Sequence, residues 1–283
     1  MKTGIIGGSG VYYLELEHSK RLQVRTPYGR VELEEGLLSG REIVFLARHG
    51  RQHAVPPHLV NYRANIWALK ERGVERVIAI CACGSLDPKI RPGELALFRQ
   101  FLDFTKGRPS TFFEGGRRGV AHVDMTEPYC PELTSILHQT ARELGLPVHD
   151  GITYACTEGP RFETPAEIRM LRLLGAQVVG MTGVPECVLA RELELCYAGL
   201  GIVTNLAAGL SGKKLTHSEV IERVSSLQQK LTKLLSLALE RIPEERGCGC
   251  GEALRDALAT RKAPRSTRQA LPPPLPPFPS SAS

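Results

Sequence analysis

No apolar stretch in the 283 residues approaches the roughly 20 residues that cross a bilayer as a helix, so a membrane-spanning chain is not expected. Strand-like residues begin at once in MKTGIIGG, leaving no room for a secretory signal, and the expected location is the cytoplasm. Aromatic residues make up only 6%. They are not interleaved with a basic stripe, so no nucleic-acid partner is expected. Much of the formal net charge of +6 sits at the C-terminus, where residues 241–283 carry seven Lys/Arg against four acids. Paired C-x-x-C spacing is also missing. The eight cysteines include two C-x-C pairs, and several lie in apolar runs such as VIAICAC and ELCYAG, where cysteine behaves as a small hydrophobe. Zinc is therefore not expected. GCGC (247–250) stands in a polar setting, where its thiols could be redox-active, locally bridged, or exposed and reduced, the last being the cytosolic default. A dinucleotide fingerprint fails too, because a G-x-G placed on Gly8-Ser9-Gly10 finds Tyr13 where the third glycine belongs.

What the chain has is a 42% hydrophobic body in which short apolar runs alternate with amphipathic ones. TGIIG, EIVFLA, RVIAICA, ELALF, GITYAC, QVVGM and YAGLGIVT are dense in apolar and β-branched residues, as strands buried on both faces are. Helical patterning is expected over 58–72, 131–144, 164–174, 185–194 and from 217 to about 240. Thr164-Pro165-Ala166-Glu167 and Thr216-His217-Ser218-Glu219 each read as a capping box. The pattern predicts an α/β fold, a single domain over 1–245 with a central mixed β-sheet flanked by helices. Residues 246–262 follow as a C-x-C segment with a short helix, and 263–283 as a disordered proline-rich tail.

Five stretches end strands with chemically useful groups. GIIGGSG (4–10) offers a tight turn or, through its backbone N–H groups and the Ser9 hydroxyl, a nest for an anion. LARHGRQH (46–53) gathers Arg48, His49, Arg51 and His53, groups that repel one another unless they are solvated or face an anion. In CTEGPRFETPAEI (156–168), Phe162 could stack on a planar base while Glu163 accepts ring N–H hydrogens; equally, Phe162 could be core and Glu163 a helix-start charge. GMTGVPECVLARE (180–192) offers Met181 to pad a sugar and the Thr182 hydroxyl to bond a phosphate. GLGIVTNLAAGLSG (199–212) places Asn205 where a strand gives out, either in a turn or facing a ligand. All five meet along one sheet edge, and together they suit phosphate plus a purine nucleoside.

In this order the stretches resemble the trimeric purine nucleoside phosphorylase family, nearest its methylthioadenosine phosphorylase branch, over about residues 3–240. The markers are GIIGGSG, FLARHGRQH, VNYRANIWALKE, ACGSL, EGPRFETPAE and MTGVPECVLARE. The resemblance implies a pentosyltransferase of purine salvage with inorganic phosphate as co-substrate, no metal or organic cofactor, and a homotrimer or dimer of trimers. It assigns phosphate to Ser9, Arg48, His49, Ala82 and Thr182, ribose to Met181 and the base to Phe162, with Asn205 and His49 as the catalytic pair. Cys81 departs from the pattern, standing where methylthioadenosine enzymes usually offer a threonine hydroxyl. In that branch the position of Asn205 holds aspartate and that of Glu163 usually serine; here both match the branch acting on 6-oxopurines. The 5′ end gives mixed signals. His217 matches a histidine that contacts a 5′-hydroxyl, whereas His53, and His122 from a neighbouring subunit, match residues lining a 5′-methylthio pocket. The implied activity is phosphorolysis of inosine and guanosine, with 5′-methylthioinosine or 5′-methylthioadenosine as the alternative substrate.

Overall fold

The computed structural model describes residues 2–212 and 214–259; the proline-rich tail over 263–283 lies outside the described residues. In chain order the strands are β1 (Lys2–Gly7), β2 (Glu17–Thr26), β3 (Gly29–Leu38), β4 (Arg41–Ala47), β5 (Val74–Ser85), β6 (Leu95–Phe104), β7 (Val148–Thr157), β8 (Val178–Gly180) and β9 (Cys196–Leu206). The helices are α1 (Tyr62–Glu71), α2 (Pro131–Glu143), α3 (Pro165–Leu173), α4 (Gly183–Glu192) and α5 (His217–Arg241).

These strands form one mixed sheet ordered β2-β3-β4-β1-β5-β8-β7-β6-β9, in which β9 also pairs with β5. That extra parallel ladder, from Arg76↔Cys196 to Ser85↔Leu206, closes β5, β8, β7, β6 and β9 into a ring. A closed ring leaves no unpaired edge in the part of the sheet that carries the longest buried strands. The strand β9 is buried from Cys196 through Thr204, which explains why its sequence is a nearly continuous apolar run.

Helices cover both faces. On one side Ile66, Trp67 and Leu69 of α1 pack with Val184, Leu189 and Ala190 of α4. On the other, α2 offers Leu133 and Leu137 to an α5 stripe that includes Val224, Leu231, Leu234, Leu235 and Leu239. The spacing of that stripe keeps one face of a 25-residue helix on the sheet.

Every strand expected from the sequence is present, but the β2–β3 hairpin was not foreseen. Strand β2 is exposed along most of its length, so its sequence, EHSKRLQVRT, lacks the apolar density of the others. Pairing with β3 makes it a strand, from Glu17↔Leu37 to Thr26↔Gly29. The first helix also starts later than expected. Residues Pro57–Leu59 form a separate 3₁₀ turn, and Asn61 caps α1 by accepting from Ala64 N–H at 3.1 Å. Thr164 and Glu167 make the full reciprocal box at α3, whereas at α5 the structure shows only the half in which Thr216 Oγ1 accepts from Glu219 N–H.

Candidate active site

The ends of β1, β4, β5, β7, β8 and β9 converge on a cavity of about 410 Å³. Ser9, Arg48, His49, His53, Ala82, Phe162, Glu163, Met181, Thr182, Asn205 and His217 all line it, as the sequence led one to expect. Arg48, His49 and Thr182 are almost wholly buried on its floor, while Phe162 is 38% exposed. The core alternative for Phe162 is thereby set aside. His122 does not reach this cavity: its N–H donates to the Ala257 carbonyl at 2.8 Å, where 120–122 lies beside 257–259.

The floor is less cationic than four basic residues in LARHGRQH suggest. Arg48 is clamped by Glu186, donating from Nε to Oε1 at 2.9 Å and from Nη2 to Oε2 at 2.7 Å, while Nη1 donates to Ile80 O at 2.8 Å. Of its five N–H donors, one on Nη1 remains for a ligand, the second on Nη2 being turned to the Cys81 sulfur at 3.7 Å. Burial disfavours the charged guanidinium, but Glu186 outweighs it and raises the Arg48 pKa well above its usual value. Arg51 turns away instead, pairing with Glu32 and Glu34 on β3. The Arg51 charge is thus answered within the protein by that hairpin, whose carboxylates the sequence did not place.

His49 is neutral. Burial, then the Arg48 charge, push its pKa down to about 3. Nδ1 donates to the Val55 carbonyl at 2.8 Å, so the neutral ring keeps a lone pair on Nε2. Such a nitrogen accepts the proton of a monohydrogen phosphate. Because the unfolded His49 titrates near 6.5 and the folded one near 3, its contribution to stability is present above pH 6.5 and lost as pH falls toward 3. Denaturant unfolding of wild type against His49→Asn should show a difference shrinking by up to about 1.4 kcal/mol per pH unit below 6.5. Parallel curves would refute the assignment.

The tight-turn reading of GGSG holds. Val11 N–H donates to Gly8 O at 2.9 Å in a tight turn that leaves Ser9 on the cavity wall. Gly8 has to be glycine, because a Cβ there would meet Ile80 O at 2.6 Å and Arg48 Nη1 at 2.9 Å. Thr182 stands at the head of α4 without a side-chain cap bond, and Val184 behind it is extended, so its hydroxyl is presented at the cavity and not tied into the helix. Cys81 is buried beneath it, its sulfur accepting weakly from Arg48 Nη2 at 3.7 Å and Thr182 Oγ1 at 3.8 Å.

At the opposite end, Glu163 and Asn205 are pre-oriented by neighbours. Thr157 Oγ1 donates to Glu163 Oε1 at 2.6 Å, which leaves Oε2 to accept from a ligand. Burial pushes this carboxyl up from the usual range, with the Thr157 bond opposing. Asn205 accepts from Thr204 Oγ1 at 2.7 Å and donates one Nδ2 hydrogen to Leu206 O at 2.9 Å, so its second hydrogen is free. His49, His53 and His217 lie in a row at the side, their rings tilted to one another with centroids 4.7 and 4.8 Å apart.

A model of the phosphorylase superfamily matches residues 2–240. The chain belongs to this superfamily. The phosphorylase is 55% identical over 261 residues to the 6-oxopurine nucleoside phosphorylase of Pyrococcus furiosus, covering 90% of this chain and 98% of the relative. It is 51% identical to the S-methyl-5′-thioadenosine phosphorylase of Pyrococcus horikoshii over 256 residues, covering 90% and 98%. Among solved structures, methylthioadenosine phosphorylase from Schistosoma mansoni in complex with adenine matches with a TM-score of 0.84 at 34% identity, covering 91% of this chain and 99% of that one.

Two residues of the phosphorylase site carry no signal in a linear motif. Arg108, buried between strands, donates from Nη1 to Tyr62 Oη and to the carbonyls of Met181 and Val184 at 2.7–3.0 Å, and from Nη2 to Glu158 O at 2.7 Å. Tyr197, at the start of β9, donates to Glu186 Oε2 at 2.8 Å. Glu186 itself had a readable signal, an acid inside the apolar run VPECVLA.

Proposed function

We propose that this phosphorylase cleaves 6-oxopurine nucleosides, inosine and guanosine, with inorganic phosphate. A phosphate oxygen bonds to C1′ of the ribose as the C1′–N9 bond breaks, its electron pair leaving with the purine, which takes up a proton. The products are the free base and ribose 1-phosphate, a purine-salvage pentosyl transfer. The observation that carries the reading is the pairing of a free amide hydrogen on Asn205 with a free carboxylate oxygen on Glu163 at the base end. A 6-oxopurine shows acceptors at N7 and O6 and a donor at N1, which complement that pair. Adenine inverts this edge, and its unprotonated N1 would face Glu163.

Phosphate, the co-substrate, would be held by Ser9, Arg48, His49, Thr182 and the backbone near Ala82, below the anomeric carbon. From there its charge stabilises an oxocarbenium-like ribosyl group, while Asn205 stabilises charge developing on the purine. Met181 would pack on the ribose. The scheme draws on no resident cofactor. Leu215 and Val220 border His217 in the cavity, and this apolar edge supports a second reading in which the 5′ substituent is a methylthio group. We assign a homotrimer or dimer of trimers in which the partner's segment carrying His122 completes that 5′ end.

The test is base release from inosine, guanosine, adenosine and their 5′-methylthio counterparts, each with and without phosphate. Phosphate-dependent cleavage of inosine and guanosine is expected; cleavage confined to adenosines would overturn the reading. Glu163→Ala should lower guanosine kcat/KM by roughly 10–100-fold, since bonds to a charged group contribute about 1.5–3 kcal/mol. Inosine, lacking the 2-amino donor, should lose less, and phosphate KM should hold. Equal losses in all three would remove Glu163 from the base site.

A further inference from the structure

At the far end of β9 from Asn205, the fold gathers four cysteines that no stretch of sequence links. Cys130 precedes α2, Cys196 opens β9, and Cys248 and Cys250 come from the segment after α5. Their sulfurs all lie within 4.8 Å of one another, with Cys248 Sγ 3.6 Å from Cys130 Sγ and 3.4 Å from Cys196 Sγ. Three of the four are buried and Cys248 is half-buried, so the expectation of two exposed thiols in GCGC is corrected. The expectation against zinc rested on spacing along the chain, and three distant segments now supply what a paired motif would have.

We propose that Cys130, Cys196, Cys248 and Cys250 form a structural site for a thiophilic divalent cation, with Zn²⁺ as the ion that fits. A Zn–S bond of about 2.3 Å puts the sulfurs of a tetrahedral tetrathiolate about 3.8 Å apart. The separations of 3.4 and 3.6 Å lie close to that, and all stay within 4.8 Å. Four protein ligands close the coordination shell, which suits a structural rather than a catalytic ion. Four thiolates around Zn²⁺ carry a net double negative charge, and Arg191 Nη1 lies 3.7 Å from Cys250 Sγ to offset part of it. The segment is held in place by other bonds as well: Arg246 Nη1 donates to Glu194 O at 2.8 Å and Gly247 N–H to Glu132 Oε1 at 3.1 Å.

The site staples the chain after α5 to the end of the sheet away from the cavity. Nine residue steps along β9 separate Cys196 from Asn205, about 30 Å at the usual strand rise, so the ion would act on folding and not on the chemistry. Its immediate dependant is the 257–259 stretch, which pairs with 120–122 through His122 N–H to Ala257 O and Ala259 N–H to Val120 O. Metal binding that needs the folded arrangement adds to folding free energy.

The full-length protein, purified under reductant from zinc-supplemented cells, should contain one zinc per chain by elemental analysis. Co²⁺ added to chelator-treated protein should give the thiolate charge-transfer and tetrahedral d–d bands of a tetrathiolate. Cys248→Ser should drop the metal content from one equivalent to none, while Cys187→Ala, outside the cluster, keeps it. Chelation should lower Tm and remove hydrogen-exchange protection over 120–122 and 246–259. Wild-type protein that is metal-free, with either all eight cysteines alkylated after denaturation or only the four that two disulfides would leave by intact mass, and that gives no cobalt spectrum, overturns the proposal.

Discussion

Asn205→Ala is expected to lower kcat for inosine by about 10²–10³-fold, the usual cost of removing one donor aimed at developing negative charge. Asn205→Asp should do something different. The new carboxylate oxygen would stand 2.9 Å from the Leu206 carbonyl, two acceptors facing each other, in the place where Nδ2 now donates. That contact favours the protonated acid, whose one hydrogen goes to the Leu206 carbonyl, so none is left to donate to N7 or O6 while the oxygen lone pairs can accept an amino hydrogen. The ratio of kcat/KM for inosine over adenosine should therefore fall by roughly 10–100-fold, the worth of one or two mismatched buried polar groups. Competition assays with both nucleosides read this directly. An unchanged ratio in the aspartate variant would show that base preference is set elsewhere, with Glu163 the first place to look.

Much of this site was legible because parallel strands buried on both faces write themselves as apolar runs, and the groups at their ends stand out against them. Asn205 after GIVT and Arg48 after IVFLA are plain in that sense. What was not legible depends on partners remote in sequence. Arg51 looks like Arg48 until β3 brings Glu32 and Glu34 to it. Strand β2 has no apolar signature of its own and exists through its ladder with β3. The four clustered cysteines did not read as one group, Cys196 standing in an apolar run and Cys248 and Cys250 in a polar one, because nothing local says that residues 130, 196 and 248 share a corner.

Glu186→Gln should have the largest effect on stability. The carboxylate accepts from Arg48 twice and from Tyr197 once, and both partners of the ion pair have no exposed side-chain surface. Breaking a buried pair by removing one partner costs about 3–5 kcal/mol, because the remaining charge is left uncompensated. For a chain of this size that corresponds to a fall in Tm of roughly 6–20 °C. Phosphate would then supply the missing negative charge. Thermal unfolding across a phosphate titration should show a larger stabilisation in the variant than in wild type, with phosphate recovering part of the lost Tm. If the apo variant melts with wild type, the pair is not what keeps Arg48 charged and aimed at the cavity.

Arg108 has a bearing on how the specificity of this scaffold could be altered. One guanidinium ties the backbone at Glu158, Met181 and Val184 to Tyr62, which in turn holds Pro57. The wall that meets the sugar is thus a single plate fastened from behind. Side chains on its face, Met181 among them, can be exchanged one at a time, but Tyr62, Arg108 and Glu158, whose side chains make the fastening, must be inherited as a set. Diversification toward new bases or new 5′ groups has its freedom at positions 163, 205, 215 and 217, which hang outside that fastening.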